Sequence, residues 1–149
     1  MTIRCEIVSL ESNVFTGDVD MVVLPGINGE IGVLPNHSPL LTMLSYGIIT
    51  IKQNGEEKVF TVYGGVAEVQ PDQVTVLAEH GAESVDQIDI KRAEMARKRA
   101  EELLKSGIPQ ISEQYASLYA SLQRSNLRLA AARRYRRGGR SPLSSGDES

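Results

Sequence analysis

The stretch QIDIKRAEMARKRA, Gln87 to Ala100, is where the chain changes character. Upstream, glycines and prolines punctuate short β-type runs. Here the residues become charged, alanine-rich and helix-forming. Residues 1–86 hold nine of the 13 glycines and four of the six prolines. Ser84 and Asp86 are both candidate N-caps, and Ser84-Val-Asp-Gln87 fits a capping box, so a helix is expected from Gln87. Ile90, Ala93, Ala100, Leu103 and Leu104 form its narrow apolar stripe, and Gly107 followed by Pro109 ends it. A second helix starts near Ser112. Ile111, Tyr115, Leu118, Leu122 and Leu129 keep helical spacing up to Gly138-Gly139. The short break between the two predicts an antiparallel helical hairpin.

Working back from Gln87, the β-type runs define the other half. Ile3, Cys5 and Ile7 alternate with Thr2, Arg4 and Glu6, the period of a half-buried strand. Val19–Leu24 and Ile31–Leu34 are apolar runs that end at Pro25 and Pro35. Ile48–Lys52 and Lys58–Tyr63 flank Asn54-Gly55, a hairpin signal because both residues tolerate positive φ. Val66–Gln70 and Val74–Glu79 flank a tight turn at Pro71-Asp72-Gln73. The fold class expected is mainly β with an α appendage: an N-terminal β-sandwich, then a C-terminal antiparallel two-helix hairpin. The boundaries expected are 1–86 for the sandwich, 87–138 for the hairpin and 139–149 for a disordered Ser/Gly-rich tail. The thin apolar faces of the helices predict weak docking on a rigid β body, a mobile arm.

Charge divides at the same place. Residues 1–86 carry three basic against twelve acidic side chains, and residues 87–149 thirteen basic against seven acidic. The basic half is therefore expected to meet an acidic partner, against the plain alternative of a solvated helix surface. The single cysteine, Cys5, excludes an intrachain disulfide and suits a reducing compartment. No apolar run is long enough to span a membrane, so no direct membrane insertion is expected.

Catalytic chemistry is thinly represented. His37 and His80 have no spaced histidine or cysteine partners, so no metal site is expected. His37 beside Ser38 is adjacency, not a triad, which is defined by geometry. Gly26, Gly29 and Gly32 do not spell a dinucleotide fingerprint and read as turn glycines. Arg133, Arg134, Arg136, Arg137 and Arg140 crowd RRYRRGGR. The rival reading is a β-sandwich nucleic-acid-binding module with a basic C-terminal tail. The acidic body and the helix dipole both argue for no nucleic acid.

GINGEIGVLPNHSPLLTML, GGVAEVQPDQVTVLAE and IDIKRAEMARKRAEELL together resemble the epsilon subunit of F-type ATP synthases, in that family's order, over residues 3 to about 135. The resemblance implies the same two modules and a non-catalytic central-stalk subunit of a proton-translocating complex. The sandwich would dock on the gamma subunit and the c-ring, with Glu30 and His37 as c-ring contacts in the region Gly29–Leu41. The hairpin would inhibit ATP hydrolysis at the alpha/beta catalytic subunits, with Arg133, Arg134, Arg136 and Arg137 against an acidic surface. The place implied is peripheral, on the cytoplasmic face of a bacterial plasma membrane or the stromal face of a thylakoid. The arginine-dense end and the trailing GGRSPLSSGDES depart from the family.

Ile88-Asp89-Ile90-Lys91-Arg92-Ala93 matches the Ile/Leu-Asp-x-x-Arg-Ala pattern of nucleotide-binding epsilon subunits. Asp89 also suits an ordinary helix start, through the dipole or a pair with Arg92. Arg124 and Arg128 lie four apart on one helical face, and paired guanidinium hydrogen bonds suit a polyphosphate. Glu83, Asp89, Arg92, Arg124 and Arg128 match the family's ATP-binding positions. No cofactor is expected to be required. ATP is expected as a regulatory ligand, bound without hydrolysis.

Overall fold

A computed structural model describes residues 1–137, with Arg136 and Arg137 described by backbone alone. The tail expected over 139–149 lies outside the described residues.

Among the described residues, alternation and turns build eight strands: β1 (Ile3–Ser9), β2 (Asn13–Val19), β3 (Met21–Gly26), β4 (Gly29–Val33), β5 (Leu40–Gln53), β6 (Glu56–Val69), β7 (Gln73–Ala78) and β8 (Ala82–Ser84). They follow the order β2-β1-β7-β6-β5-β3-β4, with β8 also paired to β6. The sheet folds over itself as a sandwich. Ile3, Cys5 and Ile7 of β1, Val74 and Val76 of β7, and Val22, Leu24, Ile49, Ile51, Phe60 and Val62 close one core. The Phe15 and Phe60 rings meet edge to face at 5.6 Å and tie β2 to β6 across it.

β5 and β6 form one long hairpin about Asn54 (φ 53°) and Gly55 (φ 81°), the double positive φ that the sequence predicts there. Lys58–Tyr63 and Val66–Gln70 are not separate strands. β6 runs through both and changes neighbour from β8 to β7 at Gly64-Gly65. Gly65 has φ +145°, and a Cβ there would stand 2.1 Å from the Leu77 carbonyl oxygen, so only glycine fits. Val19–Leu24 is likewise not one strand. Asp20 breaks it, and Val19 ends β2 while Met21 opens β3.

The helices are α1 (Ile90–Lys105) and α2 (Glu113–Arg137). The expected start at Gln87 is corrected. Ser84 caps only a short 3-10 turn, Val85–Gln87, and Asp89 caps α1. Two capping residues five apart thus serve two different turns. Ser106 caps the end of α1, and Gly107 takes φ +97°, as a residue just past a helix end does. Ser112 Oγ accepts from Tyr115 N at 3.1 Å and caps α2. Ile111, expected in the apolar stripe, precedes the helix and is exposed.

Small residues, not the expected leucines, are the buried ones: Ala93 and Ala100 of α1, and Ser125, Ala131 and Ala132 of α2. Ala131 and Ala132 join Val59 and Val85 in a second cluster, bordered by Ile48, Ile88, Ile90 and Tyr135. This second cluster explains the unbroken apolar run in β6. Phe60 and Val62 face the sandwich core, while Val59 on the opposite face meets α2.

Candidate functional site

Thr61 and Tyr63 share the face of β6 that carries Val59, because alternate residues of a strand point the same way. Thr61 stands directly across from Glu83 of β8. Its hydroxyl donates to the Tyr63 hydroxyl at 3.0 Å, and the Tyr63 hydroxyl donates to Glu83 Oε1 at 2.7 Å. Arg128 reaches down from α2. Its Nε donates to Glu83 Oε1 at 2.8 Å and its Nη2 to Oε2 at 3.3 Å. The guanidinium also stands 5.6 Å from the Tyr63 ring centroid, a cation–π distance. The Tyr46 ring meets Tyr63 edge to face. The result is a polar joint between sheet and hairpin.

The electrostatics follow from these partners. Burial by itself would raise the Glu83 carboxyl, but the Arg128 and Tyr63 hydrogen bonds outweigh it and hold the group below its ordinary value. Burial works to lower Arg128, and its bond to Glu83 overcomes this and raises it. Burial, first, and the neighbouring Glu83 charge push the Tyr63 hydroxyl up to about 12. Glu83 is therefore ionised, Tyr63 is a neutral donor and Arg128 is cationic across the neutral pH range.

The other residues singled out by sequence take distinct places. Asp89 Oδ1 accepts from the Arg92 backbone N at 3.1 Å, as an N-cap does. Asp89 and Arg92 are both exposed. The pair once open to them is absent: among the described residues the ion pairs are Arg4–Asp18 and Glu83–Arg128. Arg124 is half-buried, one turn before Arg128 on α2. Ile88 and Ile90, flanking Asp89, pack beside Ala131 and Ala132, so the start of α1 lies next to the far end of α2. Glu83 and Arg128 are thus in contact, and Asp89, Arg92 and Arg124 lie on neighbouring parts of the same hairpin.

Glu30 is exposed on β4, opposite Pro25. His37 lies in the β4–β5 loop with Nδ1 2.7 Å from the Ser38 carbonyl oxygen. Arg133 and Arg134 are exposed on α2, and the side chains of Arg136 and Arg137 lie outside what is described.

Sequence reasoning missed Thr61, Tyr63 and Ser125. The available signal was polar atoms at alternate positions of an apolar strand, since a buried tyrosine hydroxyl needs a partner. Ser125 Oγ of α2 and Arg97 Nε of α1 are buried without hydrogen-bond partners. Among the described residues no group of three or more His, Cys, Asp and Glu could hold a metal ion, and no helix is long and apolar enough to cross a membrane.

A family model described as the beta-sandwich domain of the ATP synthase delta/epsilon chain matches residues 2–84. An ATP synthase epsilon chain of Pelotomaculum thermopropionicum is 52% identical over 103 residues, 69% of this chain and 76% of the relative. An ATP synthase epsilon chain of Dehalococcoides mccartyi is 43% identical over 136 residues, 91% of this chain and 95% of the relative. A chain in a solved structure of the Euglena gracilis mitochondrial ATP synthase has the same fold, with a TM-score of 0.64 at 19% identity, covering 97% of this chain and 81% of that one.

Proposed function

Because the chain belongs to the delta/epsilon-chain family of ATP synthases, with epsilon chains as its relatives, we propose that it is a non-catalytic central-stalk subunit whose helical hairpin regulates ATP hydrolysis. The observation that carries the reading is the joint itself. The hairpin is fastened to the sheet through a small alanine cluster and one forked ion pair, an attachment modest enough to open.

In this reading the sandwich docks on the gamma subunit and the c-ring. An exposed apolar row supports that. Met43, Val66 and Leu77 stand side by side across β5, β6 and β7, with Met43 and Leu77 more than half exposed. Leu41 lies on the same strand face as Met43, and such a row marks a partner surface. Glu30 and His37 are the proposed c-ring contacts, and the subunit sits peripherally on the cytoplasmic face of a bacterial plasma membrane, or the stromal face of a thylakoid.

The hairpin, opened, reaches the alpha/beta catalytic subunits and inhibits hydrolysis through Arg133, Arg134, Arg136 and Arg137. Neutralising all four relieves inhibition, and salt mimics the change. Folded, the hairpin binds ATP through Glu83, Asp89, Arg92, Arg124 and Arg128 without hydrolysing it. ATP favours the folded state by as much as it prefers that state over the open one. Calorimetric titration with ATP tests this: the parent binds, and Arg92→Ala and Arg124→Ala bind more weakly. Absence of binding by the parent, or unchanged binding by both variants, refutes ATP as the ligand.

A further inference from the structure

Arg128 is already engaged. Its fork grips Glu83 at 2.8 and 3.3 Å, and both side chains are about two-thirds withdrawn from solvent, at 30% and 34% exposure. Resting on the ATP-binding reading above, we propose that the Glu83–Arg128 pair is an internal competitor of the ligand, which must exchange this one ion pair for a new ion pair to the guanidinium and a new hydrogen bond to the carboxylate. The ligand's phosphates take the guanidinium, and a hydrogen-bond donor on its base takes the carboxylate that the guanidinium releases.

The chemistry makes this exchange demanding. Glu83 is ionised and accepts only; Arg128 donates only. Opening the pair leaves two half-buried groups of opposite need. A ligand that satisfies just one strands the other, and a charge withdrawn from water without a partner is costly. Tyr63 raises that demand, because its hydroxyl stays on Oε1 and fixes the carboxylate in place while Arg128 departs. A bare polyphosphate therefore wins Arg128 and leaves Glu83 unpaired. A triphosphate bearing an exocyclic amine satisfies both. The pair thus sets the concentration at which the site fills, and it favours the two-ended ligand over its anionic half.

The experiment titrates tripolyphosphate and ATP into the full-length parent and into Glu83→Gln. The substitution keeps the side chain's size, removes the competing charge and leaves no stranded carboxylate. Tripolyphosphate is expected to bind the variant roughly tenfold more tightly than the parent. The preference for ATP over tripolyphosphate is expected to shrink by several-fold. Equal or weaker tripolyphosphate binding by a variant that retains hydrogen-exchange protection in α2, or no tripolyphosphate binding by either protein, overturns the proposal.

Where the variant loses that protection, the parent decides. Carbon-13 titration of the Glu83 carboxyl is run with and without saturating tripolyphosphate. A rise in its midpoint is expected as Arg128 leaves, and an unmoved midpoint overturns the exchange. The two readings fail separately. A parent that binds no ATP, beside a variant that gains tripolyphosphate affinity, sinks ATP as the ligand and keeps the competitor. A parent that binds ATP, beside a variant with no gain, does the reverse.

Discussion

Replacing Ser125 with alanine should stabilise the folded hairpin, although most buried substitutions destabilise. Ser125 is 1% exposed, in the interior of α2, and its Oγ is buried without a hydrogen-bond partner. A buried hydroxyl in that condition costs about 1–3 kcal/mol of desolvation. Alanine removes the cost and adds up to ~0.5 kcal/mol of helix propensity. Against this stands the loss of one oxygen's packing, well under ~1 kcal/mol for so small a void. The balance is a gain of about 1–2 kcal/mol in favour of the closed hairpin. Native-state hydrogen exchange of the α2 amides reads it directly, as roughly tenfold or greater slowing wherever opening of the hairpin governs exchange. With the regulatory reading, the same variant in the assembled complex should inhibit hydrolysis less. Faster exchange in Ser125→Ala would contradict an unpartnered hydroxyl, because it would mean that Ser125 has a stabilising partner, such as a carbonyl in the preceding helical turn.

Three further outcomes follow from the joint and the sheet. A double-mutant cycle on Glu83→Ala and Arg128→Ala, read by urea unfolding, should give a coupling of about 1 kcal/mol, the upper range for a partly exposed pair, since this one is bidentate; a coupling near zero would show the pair to be ornamental. Gly65→Ala should cost about 3 kcal/mol or more, because the added carbon meets the Leu77 carbonyl 2.1 Å away, and near-parental stability would contradict the bend at that point. Docking of the hairpin should weaken in acid. The folded-state pKa of Glu83 lies below its ordinary 4.5, so its contribution is present above 4.5 and is lost as pH falls through the depressed value; α2 protection that stays flat or rises between pH 6 and pH 3 would count against it.

How much of this was legible depended on whether the relevant partner lay nearby in the chain. The Asn54-Gly55 turn is local chemistry, and it formed as read. The alternation of Ile3, Cys5 and Ile7 gave β1 for the same reason. β2 escaped notice because Asn13–Val19 is broken by Gly17 and Asp18, and its pairing to β1 is what makes it a strand. β8 is three residues whose strand pairing is to β6 alone among the described residues. Ser84 and Asp89 both look like helix starts, and sequence could not tell which turn each would cap. At the candidate site, the family resemblance singled out Glu83 and Arg128, but the partners Thr61 and Tyr63 lie about twenty residues from Glu83 in sequence. No periodicity announces a contact between a sheet face and a helix 45 residues further along.

The most direct measurement compares ATP hydrolysis and proton-driven ATP synthesis by the assembled complex carrying the full chain with one carrying a chain cut before Gln87. The cut removes α1 and α2 and leaves β1 to β8. The shortened chain is expected still to assemble and to support synthesis, while hydrolysis rises. Unchanged hydrolysis would contradict a regulatory hairpin, and failure to assemble would contradict a sandwich that docks by itself.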